Sequence, residues 1–548
     1  MRSGLALQLL GIGATGLILP FCFPSANLFP LAWIALVPLH LVIETVSPKR
    51  ALWMGWLSGT ITFAGIMAWV VTAMHVYGKV PILPSYGVLI LFAWYLASYT
   101  GAYAWGVARL ARDRPEWLWI GAPALWTALE LGRTFLLTGI PWALLGYSQG
   151  EWTTIIQIAD MTGTYGLSFL IVLVNVGFVG VVRRMVPALA SEHHVSLAPI
   201  GVALVALLGV WTYGTFQLQQ APNSTSAAQP EQDRATSPQI TVGVVQANID
   251  QASKWDERFR TETITRYTRL TKQAAQHVDL LLWPEAATPF VFEMEPAYQQ
   301  LIGEVLREVD SPLLFGSPAV RRYPDGRPYL LNSAYLLSSQ GKMLGRYDKQ
   351  HLVPFGEYIP LHNSLLWFLD KLVEGIGDFE AGTQPTVLPV PQRIQRPSES
   401  RGKATPQGRG EFGVVICYEI IFPDLVRQFA LNGADFMTTI TNDAWFGLSA
   451  APYQHFGMVQ FRAVENRRAF ARAANTGISG FIDPYGRVMQ SGPLFEEAAL
   501  VGTVPLRRDL TFYTRYGDVF ARACVIIAAL CLILSRHGDR TTRPTAER

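Results

Sequence analysis

The stretch FGVVICYE, residues 412–419, decides how the polar half of this chain is read. A short apolar run without helical period ends at once in Cys417, Tyr418 and Glu419. Such a run is a buried strand, and its end is a rigid place to mount a reactive side chain. Two other stretches share the design: VDLLLWPE (278–285) ends on Glu285, and FMTTITND (436–443) ends on Asp443. Further strand patterns lie at 240–249, 311–318, 331–339 and 476–484. Polar helical patterns lie at 257–276, 295–309, 423–432 and 454–473. Strands alternating with helices predict an α/β domain whose sheet is covered by helices. Residues 382–410, rich in Pro, Gln, Arg and Ser, read as a mobile surface insertion.

Outside this domain the composition changes. The chain has 548 residues, 50% of them apolar and 16% charged, with a mean hydropathy of +0.23. A water-soluble chain of this length carries more charge. The net charge of +3 gives no support to nucleic-acid binding. Eight apolar runs, at 5–21, 28–46, 52–72, 86–107, 117–137, 163–182, 197–213 and 519–534, approach the length that crosses a bilayer. The first and last are short, and the fifth contains Glu130 and Arg133. The first also has signal-peptide character, but further runs follow it directly and no small-residue cleavage site precedes Phe23.

If all eight cross, Arg2, Lys49, Arg50, Arg109, Arg112, Arg114, Arg183, Arg184 and the basic C-terminal tail fall on one side. Positive charge marks the cytoplasmic side. The expected organisation is therefore seven spans in 1–216, a flexible linker at 217–239, an exoplasmic catalytic domain at 240–508, a last span in 509–535 and a cytoplasmic tail at 536–548. In a bacterium the catalytic domain is then periplasmic. His193 and His194 fall in a cytoplasmic loop and read as solvated.

Cys22, Cys524 and Cys531 lie in or beside apolar runs, which leaves Cys417 alone in the exoplasmic domain. Oxidising compartments favour paired cysteines, so a lone thiol there is either buried filler or a reactive group, and filler is the commoner case. A thiol is mostly protonated at neutral pH and needs a base and a positive neighbour to attack a carbonyl. Glu285, as a buried carboxylate with a raised pKa, is a candidate base. Lys349, in GRYDKQHLVPFGEY, is a candidate for stabilising the thiolate and the oxyanion. The three form a complete set for acyl transfer through a thioester. Taken singly, each has a bland reading as a capping glutamate, a solvated lysine and a core cysteine.

Together the segments carry a resemblance. A Glu after an apolar strand, a Lys 64 residues on and a Cys 68 beyond that resemble the nitrilase superfamily. LLLWPEAATPF, YDKQHLVPFGEYIP, ICYEIIFPD, TNDAWFG and KWD (254–256) resemble its membrane-bound branch, the bacterial apolipoprotein N-acyltransferases. PLAWIALVPL, WTALELGRTFLLTGIPWALLGYSQ, TGTYGLSFLIVLVN and TFYTRYGD resemble the membrane part of the same family.

The resemblance implies a multi-pass α-helical membrane domain of about eight spans joined to a nitrilase-like αββα sandwich, in a bacterial inner membrane. It implies Glu285, Lys349 and Cys417 as the catalytic set. The acyl donor is a membrane phospholipid, with phosphatidylethanolamine the expected one, and the acceptor is a diacylglyceryl apolipoprotein. Glu357 and Glu419 would position Lys349 and the base, while Trp255 and Tyr418 would shape the entrance. No cofactor or metal is implied, and His351 and His455, near the motifs, read as structural. Trp142 and Glu130 are candidates for contact with lipid head groups; pairing with Arg133, three residues on, is an equal account of Glu130. Two other readings remain. A membrane-anchored amidase using water as acceptor keeps the same triad but has no need of so many spans. A transporter predicts charges distributed through several spans.

Overall fold

In the computed structural model, residues 2–186, 197–221, 238–275, 278–358, 379–390 and 410–538 are described. His193, His194, most of the 217–239 linker, most of the insertion and most of the basic tail lie outside them. The chain divides into two compact units: Met1–Ala221 with Ser449–Gly457 and Tyr516–Arg548, and Pro222–Leu448 with Met458–Arg515.

In the first unit, each of the expected apolar runs is helical in whole or part. Ile82–Asp113, Thr164–Met185 and Ala198–Gln219 are long and apolar enough to cross a membrane. Pro48–Ile66 and Trp69–Tyr77 make a fourth candidate that bends by 51° at its break. Among the described residues, then, three or four helices qualify by length and composition, against the eight expected. The run at 28–46 is divided into a 3-10 turn, Phe29–Trp33, and a short helix, Val37–Ile43, each with a proline in its first turn. Proline lacks the donor a continuous helix needs and is well placed to start a new one. The apolar stretches Gln8–Phe21 and Val519–Ser535 are short.

The helix Ala198–Gln219 turns Leu204, Val205, Leu208 and Trp211 outward, as lipid-facing helices do. Polar groups point inward. Asn175 accepts from Leu36 N at 2.9 Å and donates to Ala32 O at 2.9 Å, which satisfies the broken backbone of the second run. Gly55 lets two helices meet closely, since a Cβ there would lie 2.4 Å from the Ala104 Cβ. Glu130 and Arg133 feel one another's charge, and each also has its own hydrogen-bond partners. Glu130 accepts from Trp126 Nε1 at 2.9 Å and Leu145 N at 2.7 Å. Arg133 donates to Ala143 O at 3.3 Å and lies over the Phe63 ring. Trp142 is buried rather than presented to head groups: its Nε1 donates to Gln454 Oε1 at 2.7 Å and its ring stacks on His455.

Among the described residues the second unit contains twelve strands in two sheets. They are β1 (Gln239–Gln246), β2 (Leu280–Leu282), β3 (Leu313–Arg322), β4 (Pro328–Leu337), β5 (Met343–Asp348), β6 (Leu388–Pro389), β7 (Glu411–Ile416), β8 (Phe436–Thr441), β9 (Phe470–Ala474), β10 (Gly480–Ile482), β11 (Val488–Ser491) and β12 (Ala498–Pro505). The sheet orders are β12-β1-β2-β3-β4-β5 and β11-β10-β9-β8-β7-β6. In each sheet the three strands that carry the site motifs and their neighbours, β1-β2-β3 and β7-β8-β9, run parallel. The sheets face one another. Ser479 Oγ donates to Gln246 Oε1 at 2.6 Å, and Phe481 packs against Gly502, where a Cβ would come within 2.6 Å of the ring. Helix Arg260–Ala274 covers β1 and β12, and Pro423–Leu431 covers β7, which gives the αββα layering. Under the first of these helices Trp283 stacks on Tyr267 and donates to Thr271 Oγ1 at 2.8 Å.

The helix expected over 454–473 is instead Ala451–Asn466 followed by β9. FARAA has a helix-forming composition, but all five residues are buried and pair with β8 and β10. Tertiary pairing overrides the local preference. The edge strands β11 and β12, and β5 ahead of Lys349, were not anticipated either. β11 is exposed throughout and β5 begins exposed, so their apolar signal is weak.

Candidate active site

Cys417 follows β7 directly and opens a short 3-10 turn, Cys417–Ile421, with a φ of +53°. Non-glycine residues seldom adopt this region, and a turn that holds one there needs external support. Glu419 supplies it. Its Oε2 accepts from Ile416 N at 2.7 Å, while Oε1 accepts from Tyr347 Oη and Gln350 N at 2.7 Å and from His351 N at 3.2 Å. One fully buried carboxylate thus ties the turn bearing Cys417 to the segment bearing Lys349. Burial pushes the Glu419 pKa up to about 7 despite these donors.

Lys349 is the first residue past β5 and is 1% exposed. Its Nζ lies 3.2 Å from Glu285 Oε1 and 2.9 Å from the Glu357 carboxylate. Asn332, on β4, donates to both carboxylates, at 2.8 Å to Glu285 and 2.7 Å to Glu357. Glu357 also accepts from Val353 N at 2.8 Å, and Glu285 Oε2 accepts from Asn442 N at 2.9 Å. The structure therefore brings Glu285, Lys349 and Glu357 into one buried cluster, and Cys417 lies close enough to feel both the Glu285 and Lys349 charges. Glu419 is fully buried, and Glu357, half-buried, pairs with Lys349, so neither forms a solvated face.

Glu285 sits past the end of β2, in a turn whose next residue, Ala286, has a φ of +47°. The turn presses on β3 at Gly316, where a Cβ would lie 2.6 Å from the Glu285 Cα. Only glycine fits that approach. The raised pKa expected for Glu285 is not what its surroundings produce. Burial pushes it upward, but Lys349, Asn332 and Lys254 together outweigh burial and hold the carboxyl below the ordinary range. For Lys349 burial pushes downward, and Glu285 and Glu357 overcome it, so its pKa is raised. Burial and the Glu285 charge push the Cys417 thiol well above its usual value. The resting arrangement is a carboxylate, an ammonium and a protonated thiol.

Asp443 lies outside the cluster's ion pairs: it takes Arg472 Nη2 at 2.7 Å and Thr441 Oγ1 at 2.8 Å, all fully buried. Tyr418 meets Phe422 edge-on, and His351 stacks on the same ring. Trp255 is 41% exposed and lines an open cleft of about 420 Å³ with Arg260, Phe290, Met294, Leu330 and Phe379. Among the described residues no group of three His, Cys, Asp or Glu side chains is arranged to hold a metal ion. Sequence reasoning did not single out Asn332, Asn442 or Lys254. Lys254 had a signal in the KWD segment and Asn442 in TNDAWFG, whereas Asn332 had none beyond its place in a strand pattern.

Two family models match the chain: "Apolipoprotein N-acyltransferase N-terminal domain" over residues 15–177 and "Carbon-nitrogen hydrolase" over 241–509. A protein of Geobacter metallireducens named apolipoprotein N-acyltransferase is 43% identical over 95% of this chain and 94% of its own length. One of the same name from Azotobacter vinelandii is 34% identical over 98% of this chain and 97% of its own. Among solved structures, an amidase from Nesterenkonia sp. matches 52% of this chain and 95% of its own at 20% identity, with a TM-score of 0.36. With both family domains in order and identity at this level along nearly its whole length, the chain belongs to the apolipoprotein N-acyltransferase family.

Proposed function

We propose that this protein transfers an acyl chain from a membrane phospholipid to the N-terminal amine of an S-diacylglyceryl cysteine on an apolipoprotein, through a thioester on Cys417. The observation that carries this reading is the buried Glu285–Lys349–Glu357 cluster beside a thiol held in a left-handed turn. As sulfur attacks the ester carbonyl, Glu285 takes the thiol proton. The Lys349 ammonium, with the Tyr418 backbone N–H, faces the oxyanion that forms. Collapse of this intermediate releases lysophospholipid, whose alkoxide takes the proton from Glu285. The acceptor amine then attacks the thioester, Glu285 takes its proton, and the departing thiolate recovers it. Each half-reaction leaves the enzyme's protons where they began.

The proton transfer from Cys417 to Glu285 is uphill, because the thiol is raised and the carboxyl lowered. It becomes accessible when the developing oxyanion gains the lysine charge in a low-dielectric site. Exclusion of water would also protect the thioester from hydrolysis. Trp255 and Tyr418 would line the approach of the lipids. We also propose an eight-span anchor in a bacterial inner membrane with residues 240–508 on the periplasmic side; outward apolar faces support membrane embedding, and the Lys and Arg placement supports the side. Phosphatidylethanolamine is the proposed donor.

The test is to incubate the purified protein with phosphatidylethanolamine and no acceptor, and to weigh the peptide containing Cys417. An acyl adduct is expected, discharged to N-acylated product when a diacylglyceryl peptide is added. Release of free fatty acid alone would favour water as the acceptor, and turnover by Cys417→Ala without any adduct would overturn the thioester.

A further inference from the structure

Lys254 is buried as deeply as Lys349, at 1% exposed, yet the reaction above gives it no task. Burying an ammonium is costly unless something nearby requires its charge. Among the described residues its Nζ makes one hydrogen bond, of 3.2 Å, to the main-chain oxygen of Glu285. That oxygen belongs to the turn that places Ala286 in the left-handed region and presses on Gly316. Such a turn does not hold itself. A donor on its carbonyl fixes the point from which the Glu285 side chain starts.

Charge balance points the same way. Lys349 serves two carboxylates, Glu285 and Glu357, so these three groups carry one excess negative charge. The Lys254 ammonium acts on both Glu285 and Cys417 and cancels that excess. We propose that Lys254 is a positioning residue, whose ammonium pins the Glu285 turn and supplies the second positive charge that keeps Glu285 ionised as the base for Cys417. This inference rests on the thioester reaction proposed above.

Burial, set against Glu285 and Cys417, brings the Lys254 pKa down to about 8, so its charge is lost in mildly alkaline solution. The charged groups that act on it are Glu285 and Cys417. Glu419, near 7, affects the acid side of any profile, which leaves the alkaline side to report on Lys254.

The experiment follows the single-turnover rate of Cys417 acylation by phosphatidylethanolamine, in the full-length protein without acceptor, from about pH 6 to about pH 10. Wild type should lose rate above about pH 8. Lys254→Arg should stay within about threefold of wild type at neutral pH and move the alkaline limb up by at least about one unit, because a guanidinium keeps its charge. Lys254→Met should acylate about 30-fold more slowly, with no alkaline limb and an unchanged apparent affinity for phospholipid. A methionine variant within about threefold of wild type, or an arginine variant with an unmoved limb, overturns the inference. Should either variant fail to fold, the other decides. A wild type that never forms the adduct sinks the thioester reading instead, which separates the two failures.

Discussion

The first unit turns large apolar side chains outward and the second encloses them. Leu83, Val205 and Leu208 are 80%, 73% and 65% exposed, while His40, Glu44, Asn175, Glu130 and Arg133 are inside. In the second unit the interior is Leu, Val, Phe and Trp, together with separate groups of buried charge: Glu285, Lys349 and Lys254, Asp443 with Arg472, and Arg462 with Glu465. Both arrangements place each group in its less costly surroundings. The contrast is the one a hydrocarbon surrounding of the first unit would produce: hydrocarbon accepts leucine and rejects an unpaired polar group, and water does the reverse. Buried charge in the first unit is therefore divided among local partners, such as Arg183 with Glu44 at 2.6 Å. In the second, one such group gathers beside the thiol that the fold strains.

The largest effect that sharpens this contrast is on chemistry alone. Cys417→Ala should lower acyl transfer by at least about 10⁴-fold while leaving the thermal midpoint unchanged, since only a small, partly exposed side chain is lost. Parallel loss of activity and stability would mean the thiol is core filler. Next, Lys349→Met strands two buried carboxylates and should cost about 3–5 kcal/mol in urea unfolding. A cost below about 1 kcal/mol would show that the cluster is hydrated and not electrostatically coupled.

In the first unit the comparison is broken from outside. Val205→Lys should cost about 2.5–3.5 kcal/mol in a membrane-insertion assay, whereas the same change at a water-facing position is nearly neutral. Insertion at wild-type yield would deny that helix Ala198–Gln219 faces lipid. The smallest effect is at Glu419. Its folded pKa, about 7, lies above the ordinary carboxyl value, so its contribution to stability is complete in acid and is lost as the pH rises through about 7. Glu419→Gln should abolish that slope and cost about 1–3 kcal/mol in acid, because a backbone donor then faces an amide donor. A slope that survives the substitution would assign the titration to another group.

Period and residue type alone were enough to separate an apolar part from an α/β part, and to put Glu285, Cys417 and Lys349 at or near strand ends. Each of these is a local property: a strand, a run or a turn is dictated by residues adjacent in the chain. The prolines at which the run 28–46 breaks are visible in the sequence, but the sequence could not show that Asn175 satisfies the broken backbone, or that FARAA forms β9, because those outcomes depend on residues elsewhere in the chain. Nor could it show that Glu285 is depressed rather than raised. Burial pushes its pKa up, and Lys349, Asn332 and Lys254, which arrive from three separate segments and meet only when the domain folds, bring it down. Electrostatic energy depends on distance in space, and sequence spacing does not carry it.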